Sequence, residues 1–275
     1  MDINYLCPHW GSEQHLASSF LELVLLDHYN GIEINMPENK TFFTDFMGSL
    51  NMIRQQREFI FVAQSVPDSV ANETVTQHIQ RVQKRLRDLV ALEPDFINSH
   101  TGKDFFSFDD NCRVIEAIEE LAEKSGVAIV HETHRGRFSF HAPAMIGYLE
   151  QFPQIKLAAD YSHWCNVSES LLEGQEELLE KMLPNIMHMH ARVGQEQAPQ
   201  VSYPFAPEWQ RHLDIFTGWW KQIVEHRKEI GTKSFTITPE FGPYPYMPVL
   251  PFTQQPIGNQ WDINRKMKNY LKTNL

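Results

Sequence analysis

Apolar residues in this chain gather into short runs separated by longer amphipathic stretches, and the alternation continues along its length. Runs near residues 3–7, 31–36, 59–64, 95–100, 127–132, 155–160, 185–190 and 234–240 have the length and composition of buried strands. The stretches between them carry helical periodicity. The clearest spans about Asn72 to Glu93, where Val75, Ile79, Val82, Leu86 and Leu89 recur at steps of four and three and share one helical face. Asn72 is placed as its N-cap and Pro94 as its stop. A second helix, about Asp109 to Ser125, is expected to end at Gly126. Leu16, Phe20 and Leu23 mark the first helix, and Trp219, Ile223 and Ile230 a later one.

Eight strand–helix units in 275 residues predict an α/β fold, a (β/α)8 TIM barrel forming a single domain over residues 1–275, rather than an open doubly wound sheet. No GxGxxG follows the first strand, which argues against dinucleotide binding. Two segments break the rhythm. Residues 191–207 form a polar, proline-containing stretch, and residues 241–260 carry Pro243, Pro245, Pro248, Pro251 and Pro256 with Tyr244, Tyr246 and Phe252. Both follow strands, so both belong at the C-terminal mouth of a barrel, where long loops shape or cover a site. A dimer contact or plain surface decoration is the alternative.

Composition narrows the function. Hydrophobic residues make up 42% of the chain, enough for a buried core. The formal net charge of −11 repels nucleic-acid phosphates and weighs against a general nucleic-acid binder. The start, Met1-Asp2-Ile3-Asn4-Tyr5, has no basic stretch followed by an apolar run, so no signal peptide is expected, and no apolar run reaches membrane-spanning length. Cys7, Cys112 and Cys165 are odd in number and widely spaced, which suggests neither a disulfide framework nor a thiolate zinc site. A reducing cytoplasm is the simplest setting.

In a barrel the chemistry lies at the C-terminal strand ends. The last four runs end in Glu132, Asp160, His190 and Glu240. Strand side chains alternate between faces. If Glu132 points inward, so do Val130 and Ala128, while Ile129 faces the helices. An inward Asp160 leaves Leu157 and Ala159 outside, an inward Glu240 leaves Phe235 and Ile237 outside, and an inward His190 leaves Met187 and Met189 outside. The reverse parity would bury charge against apolar helices. The four groups are therefore expected to converge on the barrel axis. Three carboxylates that close repel one another, and a single divalent cation removes the conflict. Mn²⁺ or Mg²⁺ suits an oxygen-rich set with one imidazole, and Zn²⁺ or Co²⁺ is also compatible. Taken singly, each acid could instead be a helix cap or ion-pair partner, and the histidine a core residue.

This pattern resembles the xylose-isomerase-like superfamily of sugar isomerases and epimerases and endonuclease IV-type enzymes. Asp160-Tyr161-Ser162-His163 matches its Asp-x-x-His motif, Gly31-Ile32-Glu33 resembles its second strand, and Met187-His188-Met189-His190-Ala191-Arg192 its seventh. The nuclease branch needs further histidines. His100 would serve, but strand three ends in Ala63-Gln64, and no Asp-x-His follows His190. The isomerase/epimerase branch fits better. The resemblance implies proton transfer next to a carbonyl through a metal-stabilised enediolate, with Glu132 and Glu240 as the acid–base pair. It places His163 beside the metal or a substrate oxygen and Arg192 on a hydroxyl or acid group, with His100 and Glu33 in the pocket.

One departure concerns the loop after strand five. Ketose epimerases of this family carry another Glu there, whereas Thr133-His134-Arg135-Gly136-Arg137-Phe138 is basic. With Arg192 and Lys103, and with His134 as a further contact, it suggests an oxidised, acidic or otherwise modified sugar; balancing of an acidic rim is the other reading. Trp10, Trp164 and Phe105 are candidates to stack on a sugar face or to be ordinary packing. His9 could reach the pocket, and His131 and His188 are read as core or supporting residues. A lyase or dehydratase acting on a keto-sugar or sugar acid, and a noncatalytic sugar-binding barrel, are the alternatives. A homo-oligomer is compatible with the family, without an interface signature in the chain.

Overall fold

The computed structural model describes residues 1–275. Eight strands, β1 (Asp2–Pro8), β2 (Gly31–Ile34), β3 (Ile60–Ser65), β4 (Phe96–Ser99), β5 (Ile129–Glu132), β6 (Leu157–Ala159), β7 (Ile186–His190) and β8 (Ser234–Thr238), pair in sequence order, all parallel. β8 closes on β1, with Asp2 opposite Ser234 and Tyr5 opposite Ile237. The fold is a (β/α)8 TIM barrel. Helices α1 (Ala17–Leu26), α2 (Lys40–Gln56), α3 (Val75–Val90), α4 (Phe108–Ser125), α5 (Ala142–Gln151), α6 (Tyr161–Ser168), α7 (Glu176–Met182), α8 (Gln210–Glu229) and α9 (Gln260–Asn274) surround it. No helix is long and apolar enough to cross a membrane.

The main apolar core lies between strands and helices, where outward residues such as Ile32, Phe61, Ile97, Ile129, Leu157, Met189 and Ile237 meet Phe20, Phe46, Leu86, Ile115 and Phe216. Inside the barrel the picture differs. Leu6, Val62, Val130 and Ala158 are buried apart from that core. Beside them the interior is filled by Glu33, Asn98, His188 and Thr238, all at most 1% exposed. A TIM barrel is usually plugged by Val, Ile and Leu; here part of the plug is a hydrogen-bonded polar layer.

Several local expectations change. α3 starts at Val75, not near Asn72, because Thr74 and Gln77 form a reciprocal capping box in which Thr74 Oγ1 accepts from Gln77 N–H. Asn72 sits outside the helix with φ of 56°. Leu16 and Ile230 are 69% and 53% exposed and flank α1 and α8 instead of packing under them. α4 does end at Gly126, whose φ of 71° closes the helix through a bond to Ala122 O. Met187 does not pack outward. A register shift between β6 and β7 puts Leu157 opposite Ile186 and Ala158 opposite His188, so Ile186 takes the outward place. Met187 instead lines a cavity at the opposite end of the barrel with Phe96, Val130 and Thr236.

Candidate active site

The strand ends bring Glu132, Asp160, His190 and Glu240 together. One ligand atom from each lies within 4.8 Å of the others, and all four residues are buried. His190 Nδ1 is at the centre, 2.9 Å from Glu240 Oε2, 3.8 Å from Glu132 Oε1 and 3.9 Å from Asp160 Oδ2.

The imidazole is held from below. Its Nε2 lies 3.0 Å from Glu33 Oε1, which leaves Nδ1 aimed at the carboxylates. Glu33 in turn accepts from Thr238 Oγ1 at 2.5 Å and Asn98 Nδ2 at 2.9 Å, and contacts His188 Nε2 at 3.1 Å. His188 continues the chain to Thr236. Burial would raise the Glu33 carboxyl, but His190 and His188 hold it well below the usual carboxylate range. A carboxylate behind a histidine is the arrangement that fixes a ligating imidazole's tautomer and orientation.

Glu132 is held by Asn98 Nδ2 at 2.8 Å and His100 Nε2 at 3.0 Å, both on Oε2. Burial pushes its carboxyl up, but His100 and His190 outweigh this and bring it well below the usual range. Gln64 donates to Glu240 Oε1 at 3.0 Å. Asp160 has two tasks. Its Oδ1 caps α6 by accepting from Ser162 N–H at 3.0 Å, while Oδ2 faces the cluster and pairs with Arg192. Burial raises its carboxyl despite Arg192 and His190. For His190, burial acts downward, yet Glu240, Glu33 and Glu132 hold the imidazole well above the ordinary histidine range. The field at this point favours positive charge. Three carboxylate oxygens and the buried Nδ1 of His190 form a donor set that fits a divalent cation.

The cluster opens on a cavity of about 500 Å³ lined in part by Trp10, Gln64, His100, Glu132, His134, Arg137, Arg192, Glu240 and Tyr246. Trp10 meets Tyr246 edge to face at 4.8 Å and packs over Gly242. His134 is sandwiched between His100 at 4.3 Å and His163 at 3.8 Å. Burial keeps both His134 and His163 well below the histidine range.

Two expected pocket residues, Glu33 and Lys103, do not line the cavity. Glu33 lies beneath the cluster. His163 is fully buried beside the cluster, with its Nε2 3.8 Å from Asp160 Oδ2 and accepting from the Arg192 guanidinium at 2.8 Å. Lys103 is buried outside the cavity wall, among the charges of Arg137, Arg81, Glu73 and Asp104. Among the aromatic candidates, Trp164 is buried with its indole N–H on Ser139 O, and Phe105 is 76% exposed. His131 turns outward to Thr101 and Glu119. Sequence reasoning missed Asn98 and the contact of Gln64 with Glu240. Inward parity was the available signal for both, since Asn98 precedes His100 by two residues.

Residues 60–251 match the family described as the xylose isomerase-like TIM barrel, well over half of the chain, and the protein belongs to that family. Solved structures share its fold end to end. A D-tagatose 3-epimerase-like protein is 17% identical with a TM-score of 0.64, over 99% of this chain and 96% of that one. A probable 3-DHS dehydratase, AsbF, involved in petrobactin synthesis in Bacillus anthracis, is 14% identical with a TM-score of 0.62, over 99% of both chains. The D-psicose 3-epimerase of Clostridium cellulolyticum H10, solved with D-tagatose, is 13% identical with a TM-score of 0.60, over 100% of this chain and 99% of that one. No curated protein matches the chain.

Proposed function

We propose that this protein is a divalent-metal-dependent isomerase or epimerase of a sugar or sugar derivative, acting by proton transfer next to a carbonyl. The observation that carries this reading is the pair Glu132 and Glu240, which flank His190 Nδ1 in one buried cluster and both border the cavity. Glu132, Asp160, His190 and Glu240 would hold the cation, with Mn²⁺ or Mg²⁺ suited to the oxygen-rich set and Zn²⁺ or Co²⁺ compatible. Bound there, the cation supplies Lewis acidity toward the carbonyl and neighbouring hydroxyl oxygens of a substrate.

The chain's own residues do the rest. Asn98 and His100 fix the Glu132 carboxylate, and Gln64 fixes that of Glu240. One of the two takes the proton beside the carbonyl and the other delivers a proton on the far side of the resulting enediolate. Arg192 spans Asp160 and the Glu240 side, with 3.6 Å to Glu240 Oε2, and presents charge to substrate oxygens entering from the cavity. Trp10 and Tyr246 supply an aromatic wall for the sugar body. The D-psicose 3-epimerase and the D-tagatose 3-epimerase-like protein that share the fold support a carbohydrate substrate. Three unpaired, buried cysteines agree with a reducing, cytoplasmic setting.

The test is a panel of keto-sugars, sugar acids and inositol-like ketones incubated with Mn²⁺-, Mg²⁺-, Co²⁺- or Zn²⁺-loaded protein in D₂O. Products of unchanged mass apart from deuterium at the carbon next to the carbonyl are expected. Products lighter by one water would assign a dehydratase instead. Ligand capture with no deuterium uptake on any member would leave a binding protein and overturn the proposal.

A further inference from the structure

The cluster does not account for all the positive charge around the cavity. Arg192 is engaged by Asp160. Arg135 turns away to Asn166 Oδ1 at 3.0 Å and lies 5.1 Å above the Tyr246 ring. Arg81 is bound by Glu73 at 2.6 Å.

Arg137 is different. Its side chain lines the cavity beside Val66, His100 and His134. It makes no ion pair; one long contact of 3.5 Å reaches the backbone oxygen of Pro67, and its Nε is buried with no partner. The carboxylates nearest in effect are Glu132 and Asp104, and Glu132 is already held by Asn98, His100 and the cluster. Lys103, buried outside the cavity wall, adds positive charge that acts on Arg137, partly balanced by Glu73 and Asp104. The half-buried Arg137 guanidinium has lost part of its hydration. In a chain of net charge −11, leaving it without an ion-pair partner at the cavity wall is a cost that an incoming anion would offset.

We propose that Arg137 is an anion subsite, and that the substrate of this cavity is a sugar derivative carrying a carboxylate or phosphate. The inference rests on the reading of the cavity as an isomerase or epimerase site. It singles out Arg137 from the basic loop, and it explains why that loop holds arginines where a neutral ketose would need only polar contacts.

Matched ligand pairs test it by calorimetry on the Mn²⁺-loaded full chain: D-tagatose against D-tagaturonate, and D-fructose against D-fructose 6-phosphate. One charge-assisted contact to a desolvated arginine is expected to make the charged member of at least one pair bind about tenfold or more tightly. The pair that shows the preference tells carboxylate from phosphate. Arg137→Gln should remove the preference while leaving the neutral member's affinity within about twofold, and Arg137→Lys should restore part of it. Equal binding within both pairs, no binding of any member, or loss of neutral and charged binding alike in Arg137→Gln would overturn the subsite. Because binding is read directly, anion-selective binding without any deuterium uptake would refute the reaction and keep the subsite, while turnover confined to neutral sugars would do the reverse.

Discussion

Glu33 meets Nε2 of His190 at 3.0 Å and thereby decides which ring nitrogen points at the three carboxylates. Neither residue could set that geometry alone. The carboxylate is anchored by Thr238, Asn98 and His188, so the imidazole inherits a fixed orientation from a layer that never reaches the cavity.

It follows that Glu33→Ala should weaken divalent-metal affinity by about 10- to 100-fold although Glu33 contacts neither metal nor substrate. Calorimetric titration with Mn²⁺ reads the effect. Unchanged affinity in a folded Glu33→Ala protein would mean that His190 is positioned by packing alone.

Glu240→Gln keeps the shape of the side chain and its contact with Gln64 but cannot move a proton. Turnover should fall by about 10²-fold or more, in line with loss of a general acid or base, while sugar binding persists. Retained turnover would remove Glu240 from the acid–base pair. Stripping the wild-type protein with a chelator should abolish turnover and lower the melting temperature, and Mn²⁺ at 100 times its Kd should return about 2.7 kcal/mol of stability.

Gly242→Ala tests the aromatic wall. A Cβ at this position would lie 2.2 Å from the Trp10 ring, far inside contact distance. The clash should cost about 1–3 kcal/mol and raise KM more than it lowers kcat, because Trp10 borders the cavity. Chemical denaturation and steady-state kinetics on one variant read both effects.

Acid should unfold the protein partly through a carboxylate outside the metal cluster. Glu73 sits against Arg81 and His78, and mainly through its hydrogen bonds to Arg81 its carboxyl is pulled down to about 2. A carboxyl depressed on folding stabilises fully above its unfolded value, near 4.5, and the contribution disappears as pH falls toward 2. The carboxylate therefore adds to stability at neutral pH through its pairing with Arg81 and His78. Denaturation of wild type and Glu73→Gln should therefore differ at pH 7 and converge near pH 2. A gap that stays constant over that range would contradict this.

The barrel was legible because its signal is redundant. Each strand repeats an apolar run that ends at a comparable place in its unit, and a period of two fixes the face of every side chain. That same parity pointed to Glu132, Asp160, His190 and Glu240. Parity does not report depth. Glu33 is inward, but β2 pairs it with Val62, one inward position below Gln64, so it lies under the cluster and not beside it. Nor does parity survive an irregular pairing, as Met187 shows. Asn98 went unread because a strand asparagine carries no chemical motif; its value comes from Glu33 and Glu132, on two other strands, meeting it.

The seam between β1 and β8 has a consequence for the making of the protein. Trp10, near the start, is pinned by Gly242 and by Gln260, whose amide donates to its backbone oxygen. Glu240, the fourth donor of the cluster, likewise follows the last strand, β8. A chain in which only the first seven strands have folded thus carries an incomplete cluster and half a wall, and neither proton chemistry nor tight ion capture can begin before β8 closes on β1.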